Sequence, residues 1–337
     1  MKAKLYITSL ICGLACLQAH AQDFHLAQYD AFPLYLNPSL TGNYLGEQGD
    51  YRVSSVYRTQ WKALTPKPYT TYGIAYDMPY KRFGVGGYLL DNKSGVGNFN
   101  TLDFQLSGSY FITDPKTSPH LLSTGIQLGL FYKSYNPQKY LFESQYDYSS
   151  GTLNQDIASG ENLNRMNRTN FDANMGIFYK YRDKQKKYWP FIGVALYHVN
   201  RPTENFYAYK SRLPIRFNIQ GGCDFQVNEK LKLTPQILYM TQAKAWECNI
   251  GALAYYRLND SKESDVHYDL IGGLNYRVKD ACIVQLGVKK DNLAVRMSYD
   301  FNTSYLNSYT GGRGGFEITL QVIGIKGRPV FKTMAKF

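Results

Sequence analysis

Residues 214–226 read PIRFNIQGGCDFQ and alternate between two kinds of side chain. The apolar positions are Ile215, Phe217, Ile219, Gly221, Cys223 and Phe225, and the positions between them are Arg216, Asn218, Gln220, Gly222, Asp224 and Gln226. Successive side chains of a β-strand point to opposite faces, so this period of two predicts a strand with one apolar and one polar face.

The same alternation recurs along most of the chain. Strands are predicted near 51–60, 69–78, 82–91, 99–112, 121–133, 170–181, 190–199, 214–227, 230–241, 246–258, 267–277, 281–289, 292–302 and 314–323. Each run has about 10 residues, the length that a tilted strand needs to cross a lipid bilayer. An even number of strands is usual in bacterial outer-membrane barrels. We therefore predict an all-β fold, a transmembrane antiparallel up-and-down β-barrel of about 14 strands.

The connections between the predicted strands are unequal on the two sides of the membrane. Bacterial barrels have short periplasmic turns and longer outer loops. With the N-terminus in the periplasm, the outer set contains the three longest connections, which are Ser134–Asn170, Asn200–Leu213 and Thr303–Arg313. This bias predicts an integral protein of the cell outer membrane with both termini in the periplasm.

The chain begins with the features of a secretory signal peptide. Lys2 and Lys4 precede an apolar run at Leu5–Leu17, and Ala19-His20-Ala21 follows. A positive start, a short apolar core and small residues at the cleavage site are typical of an exported protein. We predict a signal peptide at 1–21, an N-terminal segment at 22–50, a barrel at 51–325 and a basic tail at 326–337.

Composition distinguishes the barrel from two other classes of fold. No segment after the signal peptide approaches 18 consecutive apolar residues, which excludes helical membrane spans. A soluble β-sandwich also alternates, but it does not account for aromatic residues near strand ends, where membrane barrels have their interfacial girdles. The aromatic residues concerned are Tyr51, Tyr110, Trp189, Tyr239, Tyr276 and Tyr299.

Charge and cysteine content exclude further classes of function. Lys+Arg 38 less the two lysines of the signal peptide, against Asp+Glu 26, leaves a net charge of +10. The basic residues are interleaved with acidic ones and form no patch that tracks phosphates, so no nucleic-acid partner is predicted. Cys223, Cys248 and Cys282 are too scattered for a disulfide framework or a metal site, and we expect them to face lipid or neighbouring side chains.

No pattern of residues predicts catalysis. The histidines at 25, 120, 198 and 267 lack the spacing of metal ligands and are interpreted as turn and strand-end residues. The nucleophile motif of serine hydrolases is missing. Gly311–Gly315 lacks the Lys-Ser/Thr of a phosphate loop and predicts a flexible outer loop before the last strand. We expect no enzymatic activity, no catalytic residue, no metal and no cofactor.

The segment before the first strand is too apolar for an exposed tail. Gln22–Asn43 reads QDFHLAQYDAFPLYLNPSLTGN, and Pro33 and Pro38 are expected to break any regular element. Its apolar side chains require burial, either in the barrel lumen or against a partner protein. We predict that the segment plugs or caps the periplasmic mouth. The candidate plug or partner-binding residues are Phe24, Phe32, Pro33, Leu34, Tyr35, Leu36, Asn37 and Pro38.

Several segments carry a family resemblance. The first are PLYLNPSLTG at 33–42, YRVSSVYRTQW at 51–61, PYTTYGIAYDMP at 68–79 and GVGGYLLDNKSGVG at 84–97. Later ones are PFIGVALYHVNRPTENF at 190–206, LTPQILY at 233–239, YRVKDACIVQLGV at 276–288, SYDFNTSYL at 298–306 and FEITL at 316–320. Together they resemble the PorP/SprF family of Bacteroidetes outer-membrane proteins over essentially the whole mature chain, while the tail at 326–337 has a sequence of its own.

The resemblance implies an accessory component of the type IX secretion system, which moves cargo with a C-terminal sorting domain across the outer membrane. Members of this family are thought to associate with particular cargo proteins, often surface adhesins including those of gliding motility, and with translocon components. Outer-membrane lipid is the other expected partner. The resemblance gives no catalytic residue to assign.

The sequence is also compatible with a second function. A transporter barrel for hydrophobic small molecules, of the long-chain fatty acid type, also has about 14 strands and an N-terminal plug, so architecture alone does not separate the two. An outer-membrane hydrolase is a third reading, but it requires a serine or metal site that the sequence does not provide.

Overall fold

Fourteen antiparallel strands close into a barrel in the computed structural model of this chain. The structure describes residues 23–44, 49–65, 67–95, 99–136, 140–160, 166–183, 185–203, 212–259 and 267–325. The predicted signal peptide at 1–21 and the basic tail at 326–337 lie outside the described residues.

The strands closely follow the predicted ranges. The barrel strands are β1 (Tyr51–Gln60), β2 (Tyr69–Tyr80), β3 (Phe83–Ser94), β4 (Phe99–Phe111), β5 (His120–Tyr135), β8 (Met166–Tyr181), β9 (Tyr188–Tyr197), β10 (Arg216–Gln226), β11 (Leu231–Gln242), β12 (Ala245–Arg257), β13 (Tyr268–Arg277), β14 (Ala281–Lys290), β15 (Leu293–Asn302) and β16 (Arg313–Gly324). Two short strands, β6 (Tyr146–Asp147) and β7 (Thr152–Leu153), form a separate hairpin between β5 and β8.

The barrel is closed by pairing of its first and last strands. Tyr51 of β1 lies opposite Gly324 of β16, and Gln60 lies opposite Gly315. Every other barrel strand pairs with its neighbours in chain order, since only the small β6–β7 hairpin intervenes between β5 and β8. This up-and-down topology confirms the predicted fold class and its 14 strands.

The two faces of the barrel have opposite character. On β5 the inward positions include Ser123 and Gln127, both fully buried, whereas the outward Ile126 is 58% exposed. The same holds on β14, where the inward Gln285 is 1% exposed and the outward Leu286 is 67% exposed. An exposed apolar exterior around a buried polar interior reverses the pattern of a soluble protein and is typical of a barrel that faces lipid.

The two ends of the barrel also differ. The end that contains 81–82, 227–230 and 291–292, together with the start of β1 and the end of β16, is called here the short-turn end. The opposite end, called here the long-loop end, contains the connections 136–165, 198–215 and 303–312. The two longest connections lie at one end, as expected, but 258–267 at the short-turn end is as long as 303–312, and 243–244 at the long-loop end is tight.

Helical turns were not expected, and the structure contains several. Residues Pro33–Leu36 form one α-helical turn, and Pro38–Leu40 form a 3₁₀ turn. The prediction that Pro33 and Pro38 break regular structure is wrong, because each proline stands at the first position of its turn, where the missing N–H leaves no hydrogen bond unmade. A further turn at Asn307–Thr310 precedes Gly311 and Gly312, whose positive φ angles lead the chain into β16.

Cys223, Cys248 and Cys282 are free thiols on strands, as predicted. Within the described residues, no helix is long and apolar enough to cross a lipid bilayer.

Candidate functional site

The residues of the N-terminal segment that the structure describes, 23–44, contact inward-facing side chains at both ends of the barrel. Asp23 bonds to His198 and Arg216 at the long-loop end. Tyr44 donates a hydrogen bond to the carbonyl of Asp77 near the short-turn end. Residue 23 therefore lies at the long-loop end and residue 44 near the short-turn end. The placement of both termini in the periplasm stays a prediction, because residues 1–22 and 326–337 lie outside the described part of the chain.

Two apolar clusters contain the segment's large side chains. One joins Leu26, Phe32, Leu34 and Tyr35 to Val56, Ala75, Tyr88 and Leu90 of β1–β3, with Phe24 packed against it. The other joins Tyr29, Leu36 and Leu40 to Phe178 and Leu238. Full burial of a large apolar side chain stabilises by about 1.5–3 kcal/mol, so these clusters hold the segment strongly. The eight candidate residues are therefore brought together inside the barrel, Phe24 partly buried and the others buried.

Side chains of the barrel wall cap the backbone carbonyls of the segment. Gln127 donates to the carbonyl of Leu34, and Tyr197 donates to that of Tyr35, at 2.8 and 2.7 Å. In the same way, Ser123 donates to the carbonyl of Ser39, Arg52 to that of Leu40 and Ser109 to that of Thr41. A buried carbonyl without a partner costs free energy, so these donors explain why the inward faces of the strands are polar.

Asn37 connects the segment directly to the sheet backbone. Its Nδ2 donates to the carbonyls of Ile177 and Val194, at 3.1 and 3.2 Å, while its Oδ1 accepts from the N–H and hydroxyl of Ser39. The approach is possible because glycines occupy inward positions beside it, and a Cβ on Gly176 would overlap the Asn37 side chain. All the hydrogen-bonding capacity of a buried amide is thus used.

Gly42 meets an ion pair of the barrel wall. It has φ +68°, and its N–H donates to Oδ2 of Asp77 at 2.6 Å. Arg52 holds the same carboxylate in a two-pronged contact of 2.9 and 2.7 Å. A residue with a side chain would be strained at position 42 in this left-handed conformation, which explains the glycine after Leu40 and Thr41.

A buried charge cluster fixes the segment near residues 27 and 28. Arg58 lies between Asp300 and Glu317, with contacts of 2.7 and 3.1 Å, and Arg277 also contacts Asp300 at 2.9 Å. Glu317 in turn accepts hydrogen bonds from the backbone N–H groups of 27 and 28, at 2.7 and 2.8 Å. Because these side chains are at most 3% exposed, each charge depends on its partners.

Asp23 is held by a second cluster of charged side chains. His198, in the loop after β9, lies between the carboxylates of Asp23 and Asp172, each 2.8 Å from a ring nitrogen. Burial alone would lower the pKa of His198, but Asp23 and Asp172 outweigh it and raise the pKa to about 9. Burial would raise the pKa of Asp23, but His198 and Arg216 hold it well below its usual value.

We expect this cluster to weaken as pH rises. A raised pKa means that the stabilisation is complete below the ordinary value of 6.5 and is lost as pH passes through about 9. The melting temperature of wild-type protein should therefore exceed that of His198→Gln more at about pH 6 than at about pH 10. The control is His120→Gln, because His120 is exposed and contacts a tyrosine hydroxyl. An equal gap at both pH values would contradict the assignment.

Sequence reasoning identified the apolar candidates but missed the charged anchors. Arg52 and Arg58 share one face of β1 by period two, and two charges on the face that holds Val56 were a usable signal. His198 directly follows β9, as interpreted from the sequence, and what was missed is its burial between two carboxylates. His25 likewise pairs with Glu247 at 3.1 Å. In the described part of the chain, no group of three His, Cys, Asp or Glu side chains has the arrangement of a metal site.

Comparison with known proteins gives a family and several structural neighbours. A model of the family described as type IX secretion system membrane protein PorP/SprF matches residues 18–322. No curated protein matches this chain. Among solved structures, the toluene transporter TodX of Pseudomonas putida is 10% identical, with a TM-score of 0.47 and coverage of 89% of this chain and 93% of that chain.

Two further structures are similar at comparable levels. The CymD monoaromatic hydrocarbon channel is 11% identical, with a TM-score of 0.46 and coverage of 87% of this chain and 91% of that one. A FadL homologue of Pseudomonas aeruginosa is 10% identical, with a TM-score of 0.38 and coverage of 81% and 89%. Because the family match spans most of the sequence and the strands form a closed barrel with an apolar exterior, the chain belongs to the PorP/SprF family of type IX secretion system membrane proteins and is an integral outer-membrane β-barrel.

Proposed function

We propose that this barrel is a non-catalytic accessory of type IX secretion that associates with exported proteins carrying a C-terminal sorting domain, such as surface adhesins, or with translocon components. We further propose that residues 23–44 act as a plug, so that cargo does not pass through this lumen. The short-turn end would face the periplasm, as in other bacterial barrels.

The observation that carries this proposal is the anchoring of the N-terminal segment. Moving it would break the contacts of Glu317 with residues 27 and 28, the contacts of Asn37 with β8 and β9, and two apolar clusters. Each broken bond to a buried charge costs about 1.5–3 kcal/mol. A segment held in this way supports a closed lumen better than an open conduit, and membership of the PorP/SprF family supports the association with type IX secretion.

The direct test is recovery of tagged protein from its native outer membrane in mild detergent, followed by mass spectrometry. We expect sorting-domain proteins or type IX components to accompany the barrel. Deletion of the gene should also impair release or surface display of at least one such cargo. Normal release of every sorting-domain cargo after deletion would argue against the proposal.

One observation favours the alternative, a transporter for hydrophobic small molecules. A cavity of about 180 Å³ lies beside the segment and is lined in part by Leu36, Leu40 and Phe191. A solitary barrel that carries bound fatty acid, with no protein partner, would favour this function over secretion.

A further inference from the structure

Two adjoining spaces lie in the lumen toward the short-turn end. The outer part, called here the vestibule, has a volume of about 1290 Å³, and the inner part is the cavity of about 180 Å³ beside the N-terminal segment. Tyr44, Lys180, Asp224 and Lys232 line both parts, so the vestibule and the inner cavity adjoin at these residues.

Basic residues predominate on the walls of these two spaces. The vestibule is lined by the basic residues Lys81, Lys116, Lys180, Arg182 and Lys232 and by the acidic residues Asp183 and Asp224. Asp224 lies 2.7 Å from Lys180 and also attracts Lys232. The inner cavity adds Lys289, while its Arg52 and Arg296 are balanced by Asp77 and Asp30. Over both parts, the described lining has eight basic residues and three acidic ones, and this excess of positive charge attracts an anionic partner.

Two of these lysines lie at the entrance to the inner cavity. Lys232 is the second residue of β11 and lies over the Tyr255 ring, 4.2 Å from its centroid. Lys289 is the penultimate residue of β14, so it lies at the same end of the barrel. Both side chains are only partly buried, and a ligand that enters from the short-turn end would pass them.

The inner cavity beyond the lysines has an apolar side. Leu36 and Leu40 of the N-terminal segment and Phe191, Leu253, Ile271 and Ile323 of the wall contribute to it. A lining that is basic at the entrance and partly apolar in depth suits a ligand with carboxylates and apolar side chains in succession.

We propose that the vestibule binds an acidic, partly apolar peptide segment of a partner protein, presented from the short-turn side. Its carboxylates lie near Lys232 and Lys289, and its apolar side chains enter the inner cavity. This inference rests on the proposed function, since it names the chemistry of the partner that associates with the barrel. The chain's own tail is unsuited to the site, because 326–337 contains Lys326, Arg328, Lys332 and Lys336 and no acidic residue.

The test uses the full-length barrel and a fluorescent synthetic peptide that alternates glutamate with leucine or valine. Comparison peptides replace every glutamate with lysine or every apolar residue with serine, and oleate is the small-molecule probe. Binding is measured by fluorescence anisotropy for wild type and for the double variant Lys232→Gln/Lys289→Gln. The matched control is Lys290→Gln, which removes the same charge one residue away on β14, where Lys290 contacts the outward Tyr268.

We expect the acidic apolar peptide to bind wild type and the Lys290→Gln control equally, and the double variant about tenfold more weakly. Affinity should also fall with added salt, since the attraction is between partly exposed charges. Equal binding of the lysine peptide, unchanged binding by the double variant, or binding of oleate alone would overturn the inference. If pull-downs recover sorting-domain proteins equally with wild type and the double variant, the proposed function stands and only the vestibule assignment fails.

Discussion

Replacement of Arg58 by methionine should lower the free energy of unfolding of the barrel by about 3–5 kcal/mol. Arg58 is 1% exposed and is the cation shared by Asp300 and Glu317. Its removal leaves a buried carboxylate without its main partner, and burial of an uncompensated charge is among the most costly changes that a protein undergoes. The measurement is urea unfolding of the barrel folded in lipid vesicles.

The exposed pair of Arg82 and Asp114 gives a control of the same residue type. These side chains are about half exposed and 4.0 Å apart, so Arg82→Met should change the free energy of unfolding by about 1 kcal/mol or less. In the double variant Arg58→Met/Glu317→Gln, part of the loss should be recovered, because the carboxylate left behind is neutralised. Equal effects of Arg58→Met and Arg82→Met would contradict the importance of the buried cluster.

The second large effect is expected when leucine replaces two glycines of the barrel wall that contact the N-terminal segment. A Cβ on Gly125 would lie 2.5 Å from the carbonyl group of Pro38, and one on Gly176 would overlap the side chain of Asn37. The double variant Gly125→Leu/Gly176→Leu should therefore displace the N-terminal segment from the lumen while the strands stay paired. If the segment is a plug, conductance of the barrel in planar bilayers should rise from near zero to that of an open pore.

Displacement is measured independently by the labelling of a cysteine at position 39 with a polar maleimide. Ser39 is fully buried, so Ser39→Cys should be protected in the otherwise wild-type barrel and labelled in the double glycine variant. The three cysteines of the barrel, Cys223, Cys248 and Cys282, are replaced by serine throughout. Gly108→Leu is the matched control, since nothing lies within 4 Å of a Cβ there. Continued protection of position 39 in a folded double variant would refute this account.

The two ends of the N-terminal segment are held by different kinds of contact. Residues 32–42 are fixed mainly by apolar packing and by neutral donors such as Gln127, Ser123 and Ser109, and the Arg52–Asp77 ion pair contacts only the end of this stretch. Residues 23–30 depend more on ions, namely His198, Glu317 and Arg296. Because His198 holds residue 23 and loses its charge as pH passes through about 9, the part nearest the long-loop end is expected to loosen first in alkaline solution.

Local sequence pattern was sufficient for the strands. Successive side chains of a strand such as β10 face lipid and lumen in turn. The alternation of apolar and polar residues that predicts the strand is therefore visible within a dozen residues. The hairpin β6–β7 was missed because a strand of two residues has no period to detect. The helical turn at 33–36 was missed because Pro33 was treated as a breaker, whereas at a first helical position it is favourable.

The sequence by itself determined that this chain forms a barrel of 14 strands with an N-terminal segment in need of burial, because alternation and apolar content are local properties. Only the tertiary structure decided which side chains meet inside it. The carboxylate of Glu317 reaches the backbone of residue 27 across 290 positions, and His198 reaches Asp23 across 175. Such pairs are chosen by strand register and barrel closure, which bring distant inward positions to the same depth, and no local pattern encodes that depth.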